Sequence, residues 1–168
     1  MKFCVYTRTF YESPYINFFI EHYLNLGFEK IFILKTDDLD IKINNKFSDF
    51  IEIKNVENDG DKTLSYNFDL IKKSGYDWVL LVDNDEFLFI NSQFLNIEEY
   101  VNHILKINCN INSILFRWLM IHKFNNENIS FKDLIRENKM FYHDVVKSMV
   151  KINDIKSVSS HFGKFFNN

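Results

Sequence analysis

The stretch DWVLLVDNDEFLFI, residues 77–90, decides the fold and points to a candidate site. Its first half, from Trp78 to Val82, is an unbroken run of large apolar residues, which predicts a strand buried on both faces. Three carboxylates follow within four positions, at Asp83, Asp85 and Glu86. Buried strands seldom end in clustered charge without a partner for it, so this stretch predicts a strand that leads into a binding site.

The composition is that of one folded domain. Of 168 residues, 46% are hydrophobic and 17% aromatic, which excludes a disordered chain. The net charge of −3 gives no indication of a nucleic-acid partner. No apolar run approaches the roughly 20 residues of a transmembrane helix, so we expect a soluble, cytoplasmic protein, with peripheral membrane association still open. Cys4 and Cys109 are predicted to be reduced core residues.

Strand and helix patterns alternate over the first half of the chain, which predicts an α/β fold with a mostly parallel sheet flanked by helices, in a single domain spanning residues 1–168. Strands are predicted at 2–6, 30–35, 50–56, 78–82, 112–121, 146–152 and 156–162, and helices at 14–26, 62–75, 96–106 and 130–138. Ligands of such sheets bind at the carboxyl ends of the strands. Four charged residues fall just past predicted strand ends: Arg8, Asp37, Asp38 and Asp83.

The acids after the fourth strand suit a divalent cation. Residues two apart on a strand face the same side, so Asp83 and Asp85 converge if the chain stays extended that far. Two converging carboxylates repel each other, and a bound Mg²⁺ or Mn²⁺ ion removes that cost. The alternative is a solvated turn after the strand, which is common for so short a pattern.

At this point the sequence resembles a known group. The segment WVLLVDNDEFL resembles the D-x-D-E-F motif of nucleotide-diphosphate-sugar glycosyltransferases with a GT-A fold, in the branch of glycosyltransferase families 2 and 92. ESPYINFFIEHYLNLGFEKIFIL is similar to that branch's first helix and second strand, and KSMVKINDIKSVSSHFG to its closing segment. The resemblance implies a GT-A-like (Rossmann-like) fold. It also implies metal-dependent, inverting transfer of a sugar from a nucleotide-diphosphate sugar, UDP-linked, to a hydroxyl acceptor.

The same resemblance implies roles by position. Asp85 would bind Mn²⁺ or Mg²⁺ directly, Asp83 would contact the metal or the donor ribose, and His161 would be a late metal ligand. Five further residues would lie near the donor nucleotide: Arg8, Glu12, Asp37, Asp38 and Asn67. Among the acids of the second half, Asp133 is the candidate catalytic base.

The chain departs from the family pattern in two places. The family's Arg-Asn-Glu is Phe10-Tyr11-Glu12 here, and the nearest arginine is Arg8, so the family's arginine role has no matching position. The chain is also short for this fold, which predicts an acceptor half that is minimal or missing.

Other interpretations stay open at this stage. The protein could be a non-catalytic nucleotide-sugar-binding remnant of a transferase. It could also be a Mg²⁺-dependent phosphohydrolase with Asp83 as nucleophile, although in haloacid-dehalogenase-like enzymes the D-x-D usually follows the first strand and not the fourth. Lys147 either pairs with donor phosphate or flanks an edge strand, and Trp118 either stacks on an acceptor sugar or lies in the core.

Overall fold

The computed structural model describes residues 1–9, 15–38, 40–60, 62–121, 140–159 and 163–165. These residues form eight strands and four helices, in chain order β1 (Phe3–Thr9), α1 (Ile16–Asn25), β2 (Lys30–Lys35), β3 (Ile51–Asn55), α2 (Lys62–Tyr66), α3 (Asp69–Lys72), β4 (Trp78–Leu81), α4 (Ile97–Ile107), β5 (Ser113–Ile121), β6 (Met140–Lys151), β7 (Ile155–Val158) and β8 (Gly163–Phe165). Short 3₁₀ segments lie at Asn45–Phe50 and Ile152–Asp154.

Six of the strands form one sheet in the spatial order β3-β2-β1-β4-β6-β5. The pairs β1–β2, β1–β4 and β2–β3 are parallel, and β6 runs antiparallel to both of its neighbours. Strands β7 and β8 form a separate two-stranded sheet. The prediction of a mostly parallel α/β sheet is therefore confirmed, with one antiparallel strand inserted near its end.

Each face of the sheet has its own hydrophobic core. On one face, α1 and α4 pack on side chains of β1, β2 and β4, and Phe19, Tyr23 and Trp78 are buried there. On the other face, α2 and α3 pack on the alternate residues of the same strands. Tyr6, from β1, and Phe68, between the two helices, are buried in this second core. Burial of both faces explains the continuous apolar sequences of β1, β2 and β4.

Helix α1 follows its sequence prediction. The stripe Ile16, Phe19, Ile20 and Tyr23 is buried. Gly27 follows the helix with a φ of 96°, a conformation that favours glycine after a helix end. A Cβ atom at this position would lie 3.1 Å from Cβ of Asn96. Ser13 and Pro14, which were predicted to start the helix, lie outside the described residues.

The single helix predicted at 62–75 is wrong, because the structure divides it into α2 and α3. The side chain of Asn67 donates to the carbonyl of Thr63 at 3.0 Å. In an unbroken helix, this carbonyl would accept from the backbone N–H of Asn67 instead. Competition of this kind by asparagine disfavours helix interiors. Hydrogen bonds that span three residues and not four, such as the one from Phe68 N to Ser65 O, connect α2 to α3 across the break.

Three other expectations are corrected or lie outside the description. Strand β1 continues to Thr9 because Thr7, Arg8 and Thr9 pair with Ile33–Lys35, so Arg8 lies within the strand and not beyond it. Cys109 is exposed, whereas Cys4 is buried as expected. The helix predicted at 130–138 falls outside the described residues. None of the described helices has the length and apolar character needed to cross a membrane.

Candidate functional site

The strand order places a topological switch point between β1 and β4. Strands β2 and β3 lie on one side of β1, and β4 lies on its other side. The chain therefore adds strands first on one side of β1 and then on the other. In open parallel sheets, ligands bind outside the carboxyl ends of the strands at such a switch point. The residues at this point are Arg8 and Thr9 at the end of β1 and Val82 and Asp83 after β4.

The acids after β4 lie on a tight turn. The backbone N–H of Glu86 donates to the carbonyl of Asp83 at 3.1 Å, with Asn84 and Asp85 at the turn's centre. The Glu86 carboxylate in turn accepts from the N–H of Asp83 at 2.8 Å. The chain is therefore not extended through Asp85, and the alternation on which the convergence of Asp83 and Asp85 depended is absent. We call residues 83–86 the acid turn.

A buried lysine holds the acid turn from the neighbouring strand. In the register of β4 with β6, Leu81 lies opposite Ser148, so Lys147 comes level with the start of the turn. Its Nζ atom is 2.6 Å from Oδ2 of Asp83 and 3.2 Å from Oε2 of Glu86. The Lys147 side chain is only 3% exposed, and its ammonium lies 5.1 Å from the centroid of the Trp118 ring.

Arginine 8 approaches the same carboxylate from the other side. Its Nε atom is 3.8 Å from Oδ1 of Asp83, and its guanidinium also donates to the carbonyl of Gly60 in the loop after β3. Side chains from β1 and β6 therefore place two cations around one acid of the turn after β4. This is the densest group of charges among the described residues of the sheet's carboxyl edge.

Burial alters the chemistry of the acid turn. It raises the pKa of Glu86 from 4.5 to about 7, an effect larger than the lowering by Lys147 and by the N–H of Asp83. The turn is also tied to α1, because the Tyr23 hydroxyl donates to the carbonyl of Glu86 at 2.9 Å and accepts from the N–H of Leu88 at 3.1 Å. Burial raises the pKa of Tyr23, which keeps this hydroxyl protonated.

Two buried polar atoms at this edge have no hydrogen-bond partner within the described part of the chain. They are Oγ1 of Thr9, at the end of β1, and Nδ2 of Asn84, in the acid turn. Buried polar groups are nearly always hydrogen-bonded, and exceptions cluster at functional sites. The two atoms lie on the segments that end β1 and follow β4, at the switch point.

The other predicted site residues divide into two groups. Asp37 and Asp38 follow β2 at the same edge, where Thr36 donates to the carbonyl of Thr9, and Asp38 is exposed. Asn67 hydrogen-bonds with Lys54 and Thr63 at the break between α2 and α3. Glu12, Asp133 and His161 lie outside the described residues, so their predicted roles stay predictions.

In the described arrangement, cationic side chains already neighbour the carboxylate of Asp83, whose predicted metal role stays a prediction. Both of its carboxylate oxygens face cationic side chains, and Asp85 is exposed at the centre of the turn. Across the ranges that the structure describes, no three His, Cys, Asp or Glu side chains are grouped so that they could hold a metal ion. The roles predicted for Asp85 and His161 as metal ligands remain untested.

Sequence reasoning named Glu86 among the three carboxylates after β4 but gave it no role at the site, and it left two settings open for Lys147. Strand β6 lies between β4 and the edge strand β5, so Lys147 lies in an interior strand. The available signal was a lysine inside the apolar segment VVKSMVK, in a chain whose other buried strand ends in acids. A charge in an interior strand requires an opposite charge nearby.

Comparisons with known proteins establish no family. No family model matches the chain, and no curated protein matches it. Among solved structures, a CMP:2-keto-3-deoxy-manno-octonic acid synthetase complexed with CTP aligns with a TM-score of 0.45 and 8% identity, over 91% of this chain and 75% of that one. A similarity of this size carries no functional argument, so the function is argued from the site.

Proposed function

We propose that the protein is a glycosyltransferase. It would bind a nucleotide-diphosphate sugar, UDP-linked, at the edge where β1 and β4 end, and transfer the sugar to a hydroxyl acceptor with inversion. One observation carries the proposal. Nε of Arg8, from β1, lies 3.8 Å from Oδ1 of Asp83, after β4, at the switch point of a doubly wound sheet. Asp83 is the first acid of the segment that resembles the D-x-D-E-F motif.

The transfer needs positive charge beside the diphosphate. The acceptor oxygen attacks the anomeric carbon, the bond from that carbon to the phosphate oxygen breaks, and its electron pair stays on the departing nucleotide diphosphate. Groups that bind this growing charge accelerate the step. The proposal holds with either source of charge, a bound Mn²⁺ or Mg²⁺ ion or the cations Lys147 and Arg8.

The remaining predicted residues supply recognition and proton transfer. Asp37 and Asp38, on the loop after β2, would meet the nucleoside together with Glu12, and Asn67 would lie near the donor. The acceptor proton passes to a base, for which Asp133 is the candidate.

The test is release of UDP from a panel of UDP-sugars by the full chain, measured with and without Mn²⁺ and with candidate acceptors. We expect turnover of one or two donors, and Asp83→Asn should lower kcat/KM at least about a hundredfold. Asp49→Asn is the matched control, because Asp49 is an exposed acid directly before β3, at the opposite edge of the sheet. Circular dichroism establishes that both variants fold.

Two results would redirect the proposal. Release of inorganic phosphate from simple phosphate esters, lost in Asp83→Asn, would favour the phosphohydrolase. Binding of UDP without turnover of any donor across the panel would favour a non-catalytic nucleotide-sugar-binding protein. Failure to bind any nucleotide or nucleotide sugar would exclude both the glycosyltransferase and the nucleotide-sugar-binding protein.

A further inference from the structure

The position of Lys147 is unusual for a lysine. It lies in an interior strand, with its side chain almost wholly buried, and its ammonium group is within 3.2 Å of two separate carboxylates. Lysine normally keeps its charge in water, and burial of that charge is costly without opposite charges in contact. Asp83 and Glu86 supply those charges, so the lysine and the acid turn belong to one unit.

The contacts of this ammonium are those that a bound cation would make. A divalent ion at a D-x-D-E sequence would take oxygens from more than one carboxylate of the turn. Here Nζ of Lys147 contacts Oδ2 of Asp83 and Oε2 of Glu86 in the same way. The ring of Trp118, 5.1 Å away, adds an aromatic face to the same cation.

We propose that Lys147 is a built-in cation that takes the place of a divalent metal ion between Asp83 and Glu86. A second cation on Asp83 would lie close to the ammonium of Lys147 and to the guanidinium of Arg8 and would be repelled by both. The carboxylates of Asp83 and Glu86 are thus committed to the protein's own lysine, and this part of the inference does not depend on what binds at the switch point.

A consequence for the ligand follows, and it rests on the proposed function. If a nucleotide diphosphate binds at the switch point, its phosphates meet Arg8 and the Lys147 unit without an intervening metal. Lysine is a common phosphate-binding residue, since its ammonium is a compact point charge. Lys147 is then a positioning residue: it fixes the acid turn, and binding of UDP does not require Mn²⁺.

The first experiment measures Mn²⁺ binding by the full chain without nucleotide, by calorimetry. We expect weak binding in the wild type and at least about tenfold tighter binding in Lys147→Ala, where two carboxylates face a vacated space. Lys151→Ala is the matched control, because Lys151 lies four residues along the same strand, opposite Trp78. Tight Mn²⁺ binding by the wild type that Asp83→Asn removes would overturn the inference.

A second experiment uses the wild type alone, so that misfolding of the alanine variant leaves a decisive arm. Affinity for UDP is measured in EDTA and in Mn²⁺. Equal affinities support the inference. Affinity that rises about tenfold or more with Mn²⁺ overturns it while leaving the proposed function intact. Absence of UDP binding in both conditions contradicts the proposed function, and the Mn²⁺ measurements then decide the inference by themselves.

Discussion

Two strands of the sheet end in acids, and the two ends have different environments. After β4, Asp83 and Glu86 are held by Lys147, with Arg8 on the far side of Asp83. After β2, Asp37 and Asp38 follow the strand at the same edge, and Asp38 is exposed to solvent. In sequence, both are apolar strands followed by clustered carboxylates.

The difference comes from what the neighbouring strands bring. Strand β4 lies between β1 and β6, and each contributes a long cationic side chain to its carboxyl end. Strand β2 lies between β1 and β3, outside the switch point. The cations around the acids after β4 are therefore a consequence of spatial order, which places a cationic side chain on each side, and not of the local motif.

The largest effect should come from removing Lys147, the cation that pairs with Asp83 and Glu86 after β4. Lys147→Met leaves two poorly solvated carboxylates without their cation, so we expect the free energy of unfolding at pH 8 to fall by about 3 kcal/mol. The loss should be smaller at pH 5, where the carboxyls can take up protons. Urea unfolding at the two pH values measures it. Lys151→Met should stay within about 0.5 kcal/mol, and an equal loss in both variants would contradict the comparison.

An intermediate effect should appear on neutralising one acid of the turn. Burial raises the pKa of Glu86 from 4.5 to about 7, so this group's contribution to stability is present below pH 4.5 and is lost as the pH rises through 7. Glu86→Gln does not titrate. The unfolding free energy of the variant minus that of the wild type should therefore increase from pH 4.5 to 7.5, by at most about 3 kcal/mol.

Urea unfolding at four pH values across this range measures the change. Glu52→Gln, at an exposed carboxyl on β3, controls for loss of one negative charge. A difference between the Glu86 variant and the wild type that is flat with pH would show that Glu86 is ionised in the folded protein throughout the range.

The smallest effect on stability should come from the other strand end. Asp37→Asn with Asp38→Asn should change the unfolding free energy by about 0.5 kcal/mol or less, because charges near the surface contribute little. The same double variant should weaken nucleotide binding if the loop meets the nucleoside. Unchanged affinity for UDP would remove both residues from the proposed site, and a large loss of stability would show that this end is as tightly built as the first.

The fold was accessible from the sequence where one local signal was enough. The buried stripe of α1, the strand at Lys30–Lys35 and the apolar run of β4 follow from periodicity alone. The break at Asn67 was not accessible from the sequence, because it depends on a side chain competing for one backbone carbonyl. The length of β6 depends on pairing with β5, a partner distant in sequence.

For the candidate site, the sequence located the edge but not the partners. Asp83 and Arg8 were placed at the carboxyl ends of strands, and the structure brings them together. The convergence of Asp83 with Asp85 was expected from alternation, and the turn at 83–86 prevents that route. The contact of Asp83 with Lys147 spans 64 positions of sequence, and only the register of β4 with β6 determines it.

The hydroxyl of Tyr23 connects the acid turn to α1 through a single oxygen atom. It accepts from the amide of Leu88 and donates to the carbonyl of Glu86, so both hydrogen bonds break together when the helix separates from the sheet. Exchange of the Leu88 amide proton with solvent is then governed by opening of the helix and not by fluctuation of the turn. The Leu88 amide, two residues past the acid turn, is thereby tied to the hydrophobic core in which Tyr23 is buried.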